Sequence, residues 1–381
     1  MIIRDTREVD ESIEVIQVIY PRLVALKPRI AESADLADED IFKGYTRIFA
    51  EAGEQWVVMI ARLPNEFRTL VEAILECCGR DSDREAISLT FLFWYEFKQM
   101  IVLEKYTAAR DMFAALFGQL VEVMIKHLEY PTSEGKNESD LFDGDREQEE
   151  RFREFRHQMG DVLKDCCEVI SVTECLGKAF ARIQQWVSRY ASQTTSSNVP
   201  HWQQLEAPLF AMRAMGRMIS PEENVVLHQV IPLIVQLPDQ EKLRFQTVMA
   251  LARYTEWTAE HPEFLQPQLN LVMAAFKHHS QEVVKAAALA FRFFGTDCRK
   301  LLADHTTQLH DFYESVLDSL PTVSQEELTQ GVACVVAAQP VNKVYSILKL
   351  FCDPIMDRMK SKANAAKTSE DEQARLAVAG E

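Results

Sequence analysis

Helix-breaking residues recur at a nearly constant interval in the second half of the chain, and this interval limits the folds open to it. Every second break lies about 41 residues on, from Pro221 to Pro262, or about 42 residues on, from His279 to Pro321. A repeat of two helices over about 40 to 47 residues is typical of HEAT-type α-solenoids, in which each helix pair buries its apolar face against its neighbours. Breaks are predicted at seven places: Ser220-Pro221, Leu237-Pro238, His261-Pro262, His279-Ser280, Gly295, Leu320-Pro321 and Gln339-Pro340.

Apolar residues follow a helical spacing between these breaks and through most of the chain. One stripe has members three or four residues apart: Phe152, Phe155, Met159, Val162, Leu163, Cys166 and Ile170. Such spacing predicts a helix with one buried face. Similar stripes run through Glu8–Ala25, Asp40–Arg62, Glu66–Cys78, Arg84–Leu103, Ala108–Leu128, Val172–Tyr190, Leu205–Met218, Glu223–Val235, Lys242–Thr258, Glu263–Phe276, Glu282–Phe294, Leu301–Leu320, Glu326–Ala338 and Val341–Met359.

Alternation of the kind found in β-strands never lasts more than a few residues. We therefore predict an all-α fold, a HEAT-repeat α-solenoid that forms a right-handed superhelix of antiparallel helix pairs. A non-repeating helical domain with helices of similar length is the alternative.

The charge balance restricts the partners of such a fold. The 381 residues include 58 acidic and 41 basic side chains, a formal net charge of −17. Nucleic-acid surfaces need clustered Lys and Arg, so direct nucleic-acid binding is not expected, whereas basic protein partners are compatible with this charge. No apolar run of about 18 residues is present and the first residues lack the apolar core of a signal peptide, so no membrane association is predicted.

Motifs of enzymes and cofactor sites are missing from the sequence. It contains no HExxH, GxSxG, GxGxxG or phosphate-binding glycine loop. The eight cysteines form no CxxC pair, and Cys77-Cys78 lies in an apolar helical stretch, so buried free thiols in a reducing compartment are predicted. His305 and His310 do not have the spacing of two ligands on one helical face. We expect no catalytic residue, no metal and no cofactor.

Composition divides the chain into six segments. Residues 1–129, 146–190 and 202–360 are predicted as helix pairs of the solenoid, the second with long helices. The intervening segments are an acidic loop at 130–145, a Ser/Thr-rich connector at 191–201 and a charged, Ala-rich tail at 361–381.

The acidic loop and the helix after it carry the densest charge. Between Glu129 and Glu150 there are nine acidic residues and two basic ones, Lys136 and Arg146. Gly144 and Asp145 are predicted to form a turn and an N-cap. Acidic residues in the first turns suit the helix dipole.

Two pairs of opposite charge are predicted to support this helix where it lacks a core. Glu147 with Arg151, and Glu149 with Arg153, have the favourable i,i+4 order, worth about 0.3 kcal/mol each. On the residues alone, a solvated helix start beside a loop is favoured over a partner-binding element.

Six stretches along the chain form an ordered series of core and turn residues: GYTRIFAEAGEQWV (44–57), SLTFLFWYEFKQMI (88–101), FREFRHQMGDVLKD (152–165), WQQLEAPLFAMRAMGRMISPEEN (202–224), HPEFLQPQLNLVMAAF (261–276) and LTQGVACVVAAQP (328–340). Taken together they resemble the karyopherin-β nuclear import receptors. The resemblance is to the transportin-SR branch, particularly its fungal members known as messenger-RNA transport regulators, and it covers about residues 8 to 360.

The resemblance implies a nuclear transport receptor that shuttles between cytoplasm and nucleus. Its implied partners are Ran-GTP, RNA-binding protein cargo with arginine/serine-rich or RGG segments, and phenylalanine-glycine (FG) nucleoporins. The predicted helices make only about seven repeats, so the chain resembles the central portion of a receptor. The N-terminal repeats that supply the main Ran-binding surface, and the C-terminal repeats with an arginine-rich helix, are expected to be missing.

Karyopherins place acidic loops and projecting helices where Ran or basic cargo binds, so the resemblance favours a partner-binding function for the acidic segment. The residues assigned to this function are Asp140, Asp143, Asp145, Glu147, Glu149 and Glu150. Reversing the charge of the last four is expected to weaken binding of a basic partner in a salt-dependent way and to leave helicity unchanged. A HEAT-repeat scaffold outside transport, or a helical enzyme without a visible motif, stays open as an alternative.

Overall fold

A computed structural model describes residues 3–6, 8–81, 84–132, 141–195 and 198–368. Within these ranges the chain forms twenty α-helices and several 3-10 turns, and the one strand-like feature is an isolated bridge between Thr195 and Asn198. The prediction of an all-α fold is confirmed. The chain divides into two compact units, Met1–Gln246 and Thr247–Glu381.

The first unit is built on twelve helices and the beginning of a thirteenth. They are α1 (Ile13–Val24), α2 (Lys27–Asp35), α3 (Glu39–Gln55), α4 (Val57–Arg62), α5 (Pro64–Arg80), α6 (Glu85–Ser88), α7 (Phe91–Ile101), α8 (Thr107–His127), α9 (Arg146–Ile170), α10 (Val172–Tyr190), α11 (Trp202–Met215), α12 (Leu227–Ile234) and α13 (Glu241–Leu251). Their core is rich in aromatic rings that contact each other: Phe93 and Phe97 are stacked with centroids 5.3 Å apart, and Phe97 and Phe113 meet edge to face at 5.1 Å.

The second unit continues in helix pairs. Its helices are α14 (Thr255–Glu260), α15 (Leu265–Ala275), α16 (Gln281–Asp297), α17 (Arg299–Leu302), α18 (Thr306–Leu317), α19 (Thr322–Ala337) and α20 (Val341–Thr368). The pair α15 and α16 is followed by the pair α18 and α19, and α16 packs extensively on α19.

Six of the seven predicted breaks fall between helices, but the break at Gly295 is wrong. Gly295 lies in the last turns of α16, against Gly331 of α19. A Cβ atom on Gly295 would lie 2.6 Å from the Cα atom of Gly331. Both glycines allow two helix backbones to touch, which is a reason for glycine that a break signal cannot distinguish.

Other helix boundaries also differ from the prediction. The predicted helix Asp40–Arg62 is interrupted at Trp56, whose indole N–H donates to the Thr6 hydroxyl at 2.7 Å in the buried core. Helix α2 was not predicted, and α20 extends to Thr368, into the segment predicted as a tail.

Most cysteines match the prediction of buried free thiols. Cys77, Cys78, Cys166, Cys167, Cys175 and Cys298 are buried, Cys334 is half-buried, and Cys352 is exposed on α20, where the prediction is wrong. Burial raises the pKa of Cys77 to about 12, which keeps this thiol protonated and unreactive.

Within the described residues no single helix combines the length and apolar composition of a membrane span. The segments Glu85–Ile101 and Glu104–His127 would do so only together, and they are bent by 101°.

Replacing Gly295 by alanine is expected to lower the free energy of unfolding by about 1 to 3 kcal/mol, because the new methyl group would overlap the backbone of α19. Urea unfolding followed by circular dichroism measures the effect.

Gly44→Ala is the matched control. Gly44 also lies inside a helix, but a Cβ atom there would meet nothing within 4 Å, so this substitution should be neutral or stabilising by about 0.5 to 1 kcal/mol. Equal effects of the two substitutions would contradict the close packing of α16 and α19.

Candidate partner-binding site on an acidic helix

The turn before α9 has the form that its sequence predicts. Asp143 and Gly144 adopt left-handed backbone conformations, with φ of 54° and 79°. One carboxylate oxygen of Asp145 then accepts hydrogen bonds from the backbone N–H groups of Glu147 (2.9 Å) and Gln148 (3.1 Å). The predicted turn and N-cap are confirmed, and Asp145 is committed to holding the first turn of the helix.

Five of the six assigned acidic residues are exposed at this end of α9: Asp143, Asp145, Glu147, Glu149 and Glu150. Asp140 lies outside the described residues. Both predicted pairs form, Glu147 with Arg151 and Glu149 with Arg153, the latter at 3.4 Å. These arginines offset part of the charge at the tip. Exposed pairs of this kind add only a few tenths of a kcal/mol each.

Acidic side chains continue along the solvent-facing side of α9, well beyond the assigned residues. With 3.6 residues per turn, these positions share one face, opposite the buried stripe, and they extend over about 32 Å at 1.5 Å per residue. We call this set the acidic stripe: Glu147, Glu150, Glu154, Asp161, Asp165 and Glu168. Five of these side chains are exposed, and Asp165 is half-buried. Its last four members were not among the assigned residues, although Glu154 lies at the end of the predicted partner-binding segment. The spacing of the other three relative to Phe152 and Met159 places them on the same face.

The two ends of the acidic stripe differ in how many carboxylates are paired with a basic side chain. At the C-terminal end of α9, the buried ammonium group of Lys98 on α7 contacts Asp165 at 2.9 Å and Glu168 at 3.1 Å. Burial raises the pKa of Asp165, and Lys98 opposes that effect. Asp161 pairs with Lys164. Glu150 and Glu154 make no ion pair with any residue that the structure describes, so the first half of the stripe carries the uncompensated charge.

Aromatic side chains hold the charged tip of α9 against the rest of the first unit. The ring centroid of Phe152 lies 5.2 Å from that of Tyr130 and 5.5 Å from that of Phe142. Tyr130 also packs on Trp202 of α11, with centroids 5.4 Å apart. The half-buried loop residue Phe142 therefore packs on buried rings, and this contact anchors the turn at residues 141–145.

A buried ion pair lies beneath these rings. The Arg156 guanidinium donates to both carboxylate oxygens of Glu206 on α11, at 2.6 and 2.9 Å, and both side chains are less than 5% exposed. The guanidinium also lies 4.1 Å from the ring centroid of Phe210. Burial raises the pKa of Glu206, and the charge of Arg156 opposes that effect. Removing either partner would leave a buried charge without its counterion.

The last turn of α9 is fixed as firmly as the first. Arg110 of α8 donates to the backbone carbonyls of Glu168 and Val169, both at 2.8 Å, which satisfies two of the free carbonyl groups at the helix end. Ser171 then reverses the chain with φ of 89° and caps α10. The acidic stripe is thus displayed on a helix held at both ends, and binding a partner would cost little ordering of this backbone.

The site has the character of a charged docking surface. The described residues include no group of three or more His, Cys, Asp and Glu side chains arranged to hold a metal ion. Carboxylates one or two turns apart on a rigid helix are suited to several basic side chains of one extended segment.

Replacing Arg156 by methionine, or Glu206 by methionine, is expected to lower the free energy of unfolding by about 3 kcal/mol or more, since each leaves a buried, unpaired charge. The double substitution should cost clearly less than either single one, because no charge then remains buried. Urea unfolding monitored by tryptophan fluorescence tests this, and additive losses in the double variant would show that the pair is not coupled.

Two family models match the chain. The second domain of the transportin-3/importin-13 type, described as a TPR domain, matches residues 37–127, and the third matches residues 224–312. Among curated relatives, an uncharacterised protein of Schizosaccharomyces pombe is 42% identical over 92% of this chain and 37% of its own length. The mRNA transport regulator MTR10 of Saccharomyces cerevisiae is 35% identical over 93% of this chain and 36% of its own length.

Solved karyopherins share the fold. Importin-13 in its cytosolic state superposes with a TM-score of 0.76, at 16% identity over 93% of this chain and 42% of that one. Kap121p bound to the SUMO protease Ulp1p gives a TM-score of 0.62, at 13% identity over 92% of this chain and 32% of that one. The prediction of a HEAT-repeat α-solenoid is confirmed.

The chain spans a little over a third of the length of the curated relatives it matches. Those with names are transport receptors and transport regulators, which are not enzymes, so the prediction of a non-enzymatic protein is confirmed. By the identity of its fungal relatives and the order of its matched domains, the chain belongs to the karyopherin-β family of transport receptors, in the transportin-SR branch that includes the fungal mRNA transport regulators.

Proposed function

We propose that the chain acts as part of a nuclear transport receptor that carries RNA-binding proteins with arginine/serine-rich or RGG segments through nuclear pores. In this proposal Ran-GTP controls release, FG nucleoporins are contacted during passage, and the receptor shuttles between cytoplasm and nucleus. The observation that carries it is the acidic stripe, displayed on a helix fixed at both ends. The names of two relatives, the mRNA transport regulator MTR10 and the transportin MOS14 of Arabidopsis thaliana, support it.

The acidic stripe suits an arginine-rich segment better than a compact basic patch. It runs along the helix axis for about 32 Å, the length of about ten extended residues. Its uncompensated carboxylates, Glu150 and Glu154, lie one turn apart, and Glu147 and Asp161 have partners that are themselves exposed and replaceable. Arginine can pair with carboxylates in a bidentate manner, and exchange of these surface pairs costs little.

Two binding measurements test the function. An arginine/serine-repeat peptide and an RGG peptide are titrated into the chain at low and physiological salt, and Ran is titrated both with a non-hydrolysable GTP analogue and with GDP. Salt-sensitive peptide binding supports the cargo assignment. Binding selective for the GTP form of Ran would show that these repeats contain part of a Ran site. If neither peptide binds at low salt, the cargo assignment is wrong.

The contribution of the acidic residues of α9 to peptide binding is tested by removing their charge and not by reversing it. Asp145 caps α9, so reversing its charge would also cost about 1 kcal/mol of helix stability, contrary to the expectation of unchanged helicity. The variant Glu147→Gln/Glu150→Gln/Glu154→Gln keeps the cap and the shape of each side chain. We expect it to weaken peptide binding at low salt by about 1 to 2 kcal/mol, roughly five- to thirtyfold, with a smaller effect at physiological salt.

The matched control removes three exposed acidic charges elsewhere in the first unit. Glu14→Gln/Glu39→Gln/Asp40→Asn changes residues in the first turns of α1 and α3, so the net charge of the protein changes equally. This variant should bind the peptide nearly as the unchanged chain does. Equal weakening by both variants would show that net charge, and not the acidic stripe, attracts the peptide.

A further inference from the structure

The turn between α11 and α12 presents a serine hydroxyl in a sequence that protein kinases can use. Residues 219–226 lie outside helices, and the side chain of Ser220 is exposed. Of the 14 prolines in the chain, only Pro221 directly follows a serine or a threonine. Ser220-Pro221 is therefore the single sequence in the chain open to a kinase that requires proline after its acceptor residue.

The Ser220 hydroxyl takes part in the hydrogen bonds of this turn. It donates to the carboxylate of Glu222 and accepts from the Glu222 backbone N–H at 3.3 Å. The backbone carbonyl of Ser220 accepts from the Glu223 N–H at 3.0 Å. Glu222 is exposed, so the hydroxyl and its partner can both be reached from solvent.

The start of α12 depends on the residue that follows Glu222. One carboxylate oxygen of Glu223 accepts from the backbone N–H groups of Val225 at 3.0 Å and Val226 at 2.8 Å, and the other accepts from that of Leu227 at 2.9 Å. The Glu223 side chain is buried. The turn that begins at Ser220 thus holds the carboxylate that caps α12.

We propose that Ser220 is a phosphorylation site of a proline-directed protein kinase, and that the phosphate opens the turn before α12. The kinase transfers the γ-phosphoryl group of ATP to the Ser220 hydroxyl. The bond from phosphorus to the β-phosphate oxygen breaks, the bond from phosphorus to Ser220 Oγ forms, and ADP and the hydroxyl proton are released. This inference rests neither on the acidic stripe nor on the proposed function.

A phosphate at this position would remove one contact and add repulsion. The esterified oxygen has no hydrogen to donate to Glu222, and about two negative charges would lie beside that carboxylate. The position also follows the C-terminal end of α11, where the helix dipole disfavours negative charge. Arg217 is the only lysine or arginine between positions 214 and 241, so the neighbouring sequence offers one basic side chain against this charge. Repulsion would displace Glu222 and weaken the cap that Glu223 gives to α12.

The site is tested on the whole chain with a purified mitogen-activated protein kinase, which is proline-directed, and MgATP. We expect mass spectrometry to find one phosphate per chain, on Ser220, and none on Ser188, which is exposed but lies within α10. Ser220→Ala should take up no phosphate, and neither should Pro221→Ala, which keeps the hydroxyl but removes the proline. Circular dichroism verifies that both variants fold. Absence of phosphate from Ser220, or equal modification of Pro221→Ala, overturns the assignment.

Hydrogen exchange followed by mass spectrometry shows whether the phosphate opens the turn. In the phosphorylated chain, a peptide covering residues 219–230 should exchange about fivefold faster than in the unmodified chain, because the amides of Val225, Val226 and Leu227 lose protection. Peptides of α8 should exchange equally in both forms. Glu222→Gln removes the nearer carboxylate and should reduce the increase. An unchanged rate at 219–230, or an increase of the same size in Glu222→Gln, contradicts opening of the turn by repulsion.

Discussion

Burial of each helix face against the next helix pair is the constraint on which the rest of this structure depends. A solenoid has no single central core, so every helix must give one side to its neighbours. In the second unit this burial brings α16 and α19 into backbone contact at Gly295 and Gly331. What remains for partners is the outward side of each helix, and the acidic stripe of α9 is such a side.

The architecture was largely readable from periodicity because local signals specify it. Prolines and apolar spacing predicted six of seven helix breaks in the second half of the chain. The break predicted at Gly295 was wrong because glycine occurs both at helix ends and where two backbones touch. Only the neighbouring helix, here α19, shows which of the two applies. At Trp56, where one predicted helix is interrupted, the indole N–H donates to Thr6, fifty residues away, and no local pattern contains this contact.

In the candidate site, too, contacts between residues close in sequence could be predicted and contacts between distant residues could not. The cap at Asp145 and the pairs of Glu147 and Glu149 involve residues within four positions of each other, and the sequence predicted them. The compensation of Asp165 and Glu168 by Lys98 joins residues about seventy positions apart, and the Arg156 to Glu206 pair joins residues fifty apart. Sequence reasoning therefore located the charge but could not show which part of it is free.

The acidic stripe would attract a basic segment through charge and not through apolar burial. Such attraction is weakened by salt, because charges are screened within about 8 to 10 Å at physiological ionic strength. The contacts that fix α9, the ring packing at Phe152 and the bonds from Arg110 to its last carbonyls, lie away from the stripe. A competing charged protein would therefore displace a basic segment from α9 without disturbing the packing beneath the helix.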